Sequence, residues 1–296
     1  MPIDEFIIHV FCLVDDFIKE ESSSNPLRKR GFSSNLTDSE VITMRLVGEY
    51  LGFGDEKPIW EYFKRHWLEW FPKLGCRTTF TRQSANLWVV TQKLQKELLQ
   101  KLVADIDDLH MCDGFPIPIC HFKRAGFCRK FKGDASYGYC ASKEETYYGF
   151  KGNMIISGLG VITGITATAA HVDERDSLSE IIYNIKGLLI GDKGLMRPSL
   201  KEDLFKEGVN LQTPLRNNMK DERDPKIVKD IIGIRRLVET VIGQLTDRYK
   251  IQKMKARDLW HLTHRIIQKI TSHTMAIFIN KSINPDNPLQ LEKLVC

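Results

Sequence analysis

No two of the seven cysteines in this 296-residue chain stand in Cys-x-x-Cys spacing, and their number is odd. A disulfide scaffold and a zinc knuckle are therefore both disfavoured, and Cys112, Cys120, Cys128 and Cys140 read as reduced, small core residues. A site made of Cys120, His121 and Cys128 fails because adjacent residues of a strand point to opposite faces. Long hydrophobic runs are missing too. The longest stretch without a formal charge, Gly152 to Ala170, is broken by Asn153, Ser157, Gly158, Gly160, Thr163, Gly164, Thr166 and Thr168, so it reads as two strands and a turn. The start Met1-Pro2-Ile3-Asp4-Glu5 lacks the basic segment and apolar run that export needs, and a cytoplasmic protein with no membrane association is expected. No internal repeat is visible. Neither sign of charge dominates: 43 basic residues against 38 acidic give +5, a mild pointer to an acidic partner.

What is present is the composition of an ordinary globular protein, 42% apolar and 27% charged, in a chain long enough for two domains with unstapled cores. The first hundred residues carry helical spacing. Ile3, Phe6, Ile7, Val10, Phe11, Val14, Phe17 and Ile18 mark a helix over 3–20, followed by a loop from Glu21 to Asn35. Thr37 and Glu40 form a capping box ahead of Val41, Leu46 and Leu51. A third helix opens with Pro58 in its first turn and carries Trp60, Phe63, Trp67, Trp70 and Phe71 up to Pro72, and a fourth runs from about Ser84 to about Val103.

Beyond residue 105 the pattern becomes that of strands: Leu109–Cys120, Tyr147–Ser157 and Val161–Ala170, the last two a hairpin. A helix near Ser177–Ile185, a strand Gly187–Ile190, a helix near Ser199–Glu207, a strand Val209–Pro214 and a long helix from about Lys226 to Tyr249 follow. This order predicts an α/β mixed sheet with flanking helices, preceded by an all-helical N-terminal module. The expected division is 1–105, 106–281, and a tail 282–296.

Three acids in the second part interrupt this pattern. Asp113 lies inside an apolar strand, where an unpaired charge costs several kcal/mol. Asp192 emerges at the carboxyl end of the run Gly187–Gly191. Glu239 sits about a third of a turn from the stripe Ile231, Ile234, Val238, Val241 and Leu245, on the same edge as Arg235. Singly, each has a plain alternative: a turn at Asp113-Gly114, a surface ion pair at Asp192-Lys193, a helical pair of Glu239 with Arg235. Together, in this element order, they suit a set of oxygen ligands for one or two hard divalent cations that clamp an in-line phosphoryl displacement.

The blocks Asp113-Gly114-Phe115-Pro116-Ile117-Pro118, Phe131-Lys132-Gly133, Ala135-Ser136-Tyr137-Gly138-Tyr139-Cys140, Tyr147-Tyr148-Gly149-Phe150-Lys151-Gly152, Gly191-Asp192-Lys193-Gly194 and Glu239-Thr240-Val241-Ile242-Gly243-Gln244-Leu245 resemble DDE transposases of bacterial insertion sequences, of the IS nine-eight-two family, from near the first residue to about Asn280. The resemblance implies an RNase H-like catalytic domain with Asp113, Asp192 and Glu239 as catalytic and metal-binding residues. It also implies two Mg²⁺ ions, for which Mn²⁺ can substitute, double-stranded DNA as substrate at transposon ends and target, and a homodimer or higher assembly on DNA. Related families carry a helix signature Tyr-x2-Arg-x3-Glu-x6-Lys. Here Arg235 and Glu239 match it, whereas Ile232 and Thr246 stand at the Tyr and Lys places, with Arg248 or Lys250 as substitutes.

Basic clusters fit such a partner. Lys123, Arg124, Arg129, Lys130 and Lys132 occur without an acid, and Arg248, Lys250, Lys253, Lys255, Arg257, Arg265 and Lys269 face Asp258 alone. Arg235, Lys193, Arg248, Lys250, Lys130 and Lys132 are thus the expected DNA contacts, while a solvated surface remains the plain alternative for either cluster. Arg65, His66, Arg77 and Arg82 around the aromatic helix suit a helix-turn-helix or a dimer face, so the helical module is expected in DNA-end binding or dimerisation. Trp260, His261 and His264 are expected to pack. The run His171–Asp176 stays outside the expected catalytic set, with Asp173 or Asp176 read as a helix cap. Two rival functions stay open: a metal-dependent nuclease on the same fold, and a DNA-binding protein that no longer catalyses.

Overall fold

The computed structural model describes residues 1–24, 34–103, 108–182, 185–215 and 218–295. The expected boundary at residue 105 lies outside these residues, as do most of the expected loop at 21–35 and part of the helix expected to end at Ile185. The chain forms two compact units, one from Met1–Lys101 with Leu245–Cys296 and one from Leu102–Gln244. No helix among the described residues is long and apolar enough to cross a membrane.

The first unit is helical: α1 (Ile3–Ser24), α2 (Asp38–Tyr50), α3 (Glu56–His66), α4 (Arg77–Asn86) and most of α5 (Trp88–Val103) join α9 (Leu259–Ile283). Thr37 caps α2 as expected, its hydroxyl accepting from the Glu40 N–H while Glu40 returns a carboxylate to the Thr37 N–H at 2.6 Å. The third helix stops at His66, short of Pro72, and Trp67 and Trp70 lie in the following turn with ring centroids 5.0 Å apart. The expected fourth helix is split into α4 and α5 at Leu87. The segment 245–296 was expected to belong mostly with the sheet, but its contacts are with the N-terminal helices, and α2 against α9 is the centre of that packing.

The reason is chemical. Lys269, fully buried on α9, donates to Glu49 Oε2 of α2 at 2.7 Å and to the Tyr249 carbonyl at 2.6 Å. Arg265 reaches Glu56 at 2.6 Å and Asp55 at 2.9 Å, and Arg45 pairs with Glu49 at 2.8 Å and donates Nε to Gln268 at 2.7 Å. Charges this deep hold only as a complete network, and α9 has no other counter-ions to bring them. His264 and His273 lie beside this network, both pulled down to about 3, by burial above all and for His264 also by the Arg45 charge.

The second unit is a mixed sheet. β1 (Leu109–His121) pairs antiparallel with β3 (Glu145–Ser157), which pairs antiparallel with β4 (Ile162–Ala169) and, at its other end, with β2 (Ser136–Cys140). On the opposite side β1 runs parallel to β5 (Gly187–Ile190), and β5 parallel to β6 (Val209–Gln212). Leaving β2 aside, the sheet order is β4-β3-β1-β5-β6, so the mixed sheet with flanking helices preceded by helices is as expected. Beneath it Cys112, Ile155, Leu189, Val209 and Leu211 pack with Leu178 of α6 (Glu174–Leu178) and Leu204 of α7 (Pro198–Lys206). The edge strand β2 escapes the sequence pattern because its large residues, Tyr137 and Tyr139, face outward and leave Ser136, Gly138 and Cys140 half-buried. α6 is shorter than periodicity predicts: Ile181 and Ile182 still enter the core, but from turns. The long helix α8 (Pro225–Asp247) is as expected.

The two buried histidines of the helical unit set a pH dependence, to which His110 of β1, also lowered by burial, adds in the same direction. A folded-state value depressed from 6.5 to about 3 contributes stability that is complete above about pH 6.5 and is lost as pH falls towards 3. Urea unfolding between about pH 6.5 and pH 4.5 will show stability falling by up to about 1.4 kcal/mol per pH unit for each histidine. His264→Asn with His273→Asn will flatten that slope; an unchanged slope would contradict it.

Candidate functional site

Parallel pairing between β1 and β5 ends at Met111 opposite Ile190. Asp113 and Asp192 each stand two residues further on, so the strand register sets them side by side where β1 and β5 part. Pro116 and Pro118, which have no N–H to give, occupy the stretch of β1 that β5 does not reach. The strand therefore continues along β3 alone, and its free edge beside Asp113 stays open.

From α8, Arg235 enters this opening. Its Nη2 lies 3.1 Å from Asp113 Oδ2 and 3.4 Å from Asp192 Oδ1, and its Nη1 lies 3.5 Å from Glu239 Oε1, one helical turn along. One guanidinium thus gathers carboxylates from β1, β5 and α8, which are 79 and 47 residues apart in sequence. Arg235 Nε is buried and has no partner among the described residues. Burial raises the Asp113 carboxyl above its ordinary value; the Gly114 N–H, bonded to Oδ1 at 2.8 Å, and Arg235 oppose this, while Asp192 and Glu174 reinforce it. Cys112, behind Asp113, is fully buried, and its thiol is pushed far up, so it is inert.

Glu174 belongs to the same opening, although sequence reasoning left it out. It begins α6, directly after the cap Asp173, whose carboxylate accepts from the Arg175 N–H at 2.9 Å, so the cap reading of the 171–176 run holds for Asp173. Asp113, Gly114, Asn153, Glu174 and Asp192 line one small cavity. Glu174 pairs with Lys151 Nζ at 3.4 Å. The signal available in the sequence was an acid just after a strand that neighbours β3, but the adjacent Asp173, Arg175 and Asp176 hid it.

The expected DNA contacts are dispersed. Arg235 is in the site and Lys193 follows Asp192 directly. Lys130 and Lys132 are exposed, on the turn between β1 and β2. Arg248 and Lys250 lie in the helical unit: Arg248 sits over the Tyr50 ring at 4.7 Å and donates to the Tyr50 carbonyl, and Lys250 bonds the Asp247 carbonyl. The basic run 248–269 is not one surface either, because Arg265 and Lys269 are spent on the buried network and Lys255 on Asp55 at 2.8 Å.

The donor set consists of hard oxygens, the kind that divalent cations of the Mg²⁺ class take. Among the described residues no three His, Cys, Asp or Glu side chains are already gathered as ligands of one ion. The cation at their centre is Arg235, and its contact with all three carboxylates shows that this opening favours positive charge; in donor type, though not gathered around one point, the residues suit a hard divalent ion.

Residues 90–259, more than half of the chain, match the family model described as Transposase DDE domain. No curated protein matches the sequence. Among solved structures, the cryo-EM structure of a piggyBac transposase synaptic complex with hairpin DNA is similar over 97% of this chain and 83% of that one, at 9% identity and a TM-score of 0.43.

Removing the central cation tests the geometry. Arg235→Met, unfolded by urea in EDTA, will lose about 1–2 kcal/mol, because the partly buried Asp113 and Asp192 are left facing each other, with the exposed Glu239 adding little. Added Mg²⁺ will restore part of that loss; a deficit that is the same with and without Mg²⁺ would contradict the convergence.

Proposed function

The chain belongs to the DDE-domain transposase family, and on that premise we propose that it is a DNA transposase of a bacterial insertion sequence, of the IS nine-eight-two kind, with Asp113, Asp192 and Glu239 as its catalytic carboxylates. The observation that carries the assignment is the contact of a single guanidinium with all three acids. The domain is RNase H-like in this reading, and the chain works on cytoplasmic DNA as a dimer or larger assembly that brings two element ends together.

Asp113, Asp192 and Glu239 would hold two Mg²⁺ ions, or Mn²⁺ in their place. When bound, such ions lower the cost of negative charge on the attacking and leaving oxygens of an in-line displacement at phosphorus. The reaction runs twice. Water first attacks the phosphodiester at the element end and the P–O bond to the 3′ oxygen breaks, freeing a 3′-hydroxyl. That hydroxyl then attacks a target phosphodiester, forming one P–O bond as another breaks.

The residues of the chain do the positioning. Asp113, four-fifths shielded from solvent on its side chain, supplies a carboxylate that water cannot freely screen. Arg235, with its unspent Nε, exchanges carboxylates for a phosphate oxygen and so holds the scissile group in line. Lys193, Lys130 and Lys132 attract the duplex backbone, for which sequence-independent phosphate contacts suffice. Arg248 and Lys250, part of the helical unit, each spend one N–H on a backbone carbonyl and keep others for a phosphate.

Incubating the purified protein with a labelled fragment of the DNA that flanks its gene, a plasmid target and Mg²⁺ tests this reading. Wild type will cleave and join; Asp192→Asn will do both at least about a thousandfold more slowly while still binding the fragment. Wild-type rates for Asp192→Asn would eliminate the assignment, and cleavage that never yields joined product would point to a nuclease. Affinity will also fall steeply with salt, by about 0.9 log units per phosphate neutralised for each log unit of salt, and Lys130→Ala with Lys132→Ala will reduce that slope; an unaltered slope would remove this turn from the contact surface.

A further inference from the structure

Asn153 of β3 is only 5% exposed, yet its Nδ2 has no hydrogen-bond partner among the described residues. A buried amide donor left without an acceptor destabilises the fold, so it marks a place where a ligand oxygen completes the structure. The register sets Asn153 opposite Gly114, next to Asp113, and its side chain faces the cavity that Asp113, Glu174 and Asp192 also line.

Gly114 is what keeps that cavity open. A methyl group built there would lie 2.9 Å from Glu174 Oε1 and 3.1 Å from Asn153 Oδ1, and one built on Gly194 would lie 3.7 Å from Glu174 Oε2 and 3.8 Å from Asp192 Oδ2. The absent side chain at 114 thus gives the Glu174 carboxylate its room, whereas a methyl at 194 would only touch Glu174 and Asp192 at ordinary contact distance. Glu174 also raises the charge density of the pocket, and it pairs with Lys151 at 3.4 Å, its one ion-pair partner among the described residues. Glu239, by comparison, is 55% exposed on its side chain and pairs with Arg235 at 3.5 Å.

We propose that Glu174 is a fourth carboxylate of the divalent-cation site, binding ion together with Asp113 and Asp192, and that the Asn153 amide donates to an oxygen of the ligand held there. This rests on the reading of Asp113 and Asp192 as ion ligands. It extends the site to the far wall of the cavity, on the element that follows β4.

The test is Mn²⁺ alone titrated into the full-length protein after EDTA treatment, with free Mn²⁺ followed by electron paramagnetic resonance. Glu174→Gln will weaken Mn²⁺ binding by about 10–100-fold or remove one bound ion, while its melting temperature in EDTA stays near wild type. Gly114→Ala, which leaves every carboxylate in the chain but crowds Glu174, will shift the titration in the same direction. Asp113→Asn is the reference. If Asp113→Asn loses Mn²⁺ affinity while Glu174→Gln and Gly114→Ala titrate as wild type, Glu174 is only the partner of Lys151 and the proposal is overturned, with the transposase reading left standing. If Asp113→Asn itself binds Mn²⁺ as wild type does, the aspartate pair is not an ion site and this proposal falls with that reading.

Discussion

Negative charge gathered at one point of a sheet is the constraint around which the second unit is arranged. Asp113 stands on a strand whose neighbouring residues Met111, Cys112 and Phe115 are buried, and burial raises its carboxyl even with a guanidinium and a backbone N–H against it. Such a residue is a cost to folding unless something positive meets it. In the structure that positive group is Arg235, which meets Asp192 and Glu239 at the same time. Several local features follow from this arrangement. β5 is only four residues long, so its carboxyl end opens beside Asp113. Two prolines keep the exposed edge of β1 from taking another strand, and the glycine at 114 leaves room for the Glu174 carboxylate.

The helical unit solves the opposite problem. There the charges are deep, and they are matched one to another: Lys269 and Arg45 with Glu49, Arg265 with Glu56 and Asp55. A set of this kind adds little net stability over an apolar core of the same shape, but it makes α9 specific for α2, because any other partner would leave buried ions unpaired. That specificity accounts for a chain that leaves the N-terminal helices, builds a sheet, and returns to them with its last fifty or so residues.

Much of this was legible in the sequence, and the losses have definite causes. The capping box at Thr37, the strand Gly187–Ile190 and the long helix near 226–247 were readable because each is governed by local chemistry: a cap, a short apolar run ended by glycine, a stripe of three-and-four spacing. β2 was not, since its large side chains point outward, and Trp67 and Trp70 were drawn into a helix that ends one residue before the first of them. The place of the C-terminal segment was illegible for a different reason: Arg265 and Lys269 look like surface cations in any one-dimensional reading, and only the three-dimensional partners Glu49, Asp55 and Glu56 show them to be internal. At the candidate site Asp113, Asp192 and Glu239 stood out as acids against the strand and helix patterns, and Arg235 as the neighbour of Glu239 on the same helix edge. Glu174 did not, because an acid in the first turn of a helix is ordinary.

The most direct test of a shared cation site on these carboxylates is to place Fe²⁺ in the protein instead of Mg²⁺ and generate hydroxyl radicals with ascorbate and peroxide, which cut the polypeptide next to the bound iron. The account predicts cuts near residues 113, 192 and 239 together, suppressed by excess Mg²⁺. Cuts confined to one of those segments or to other parts of the chain, or a pattern indifferent to Mg²⁺, would contradict it.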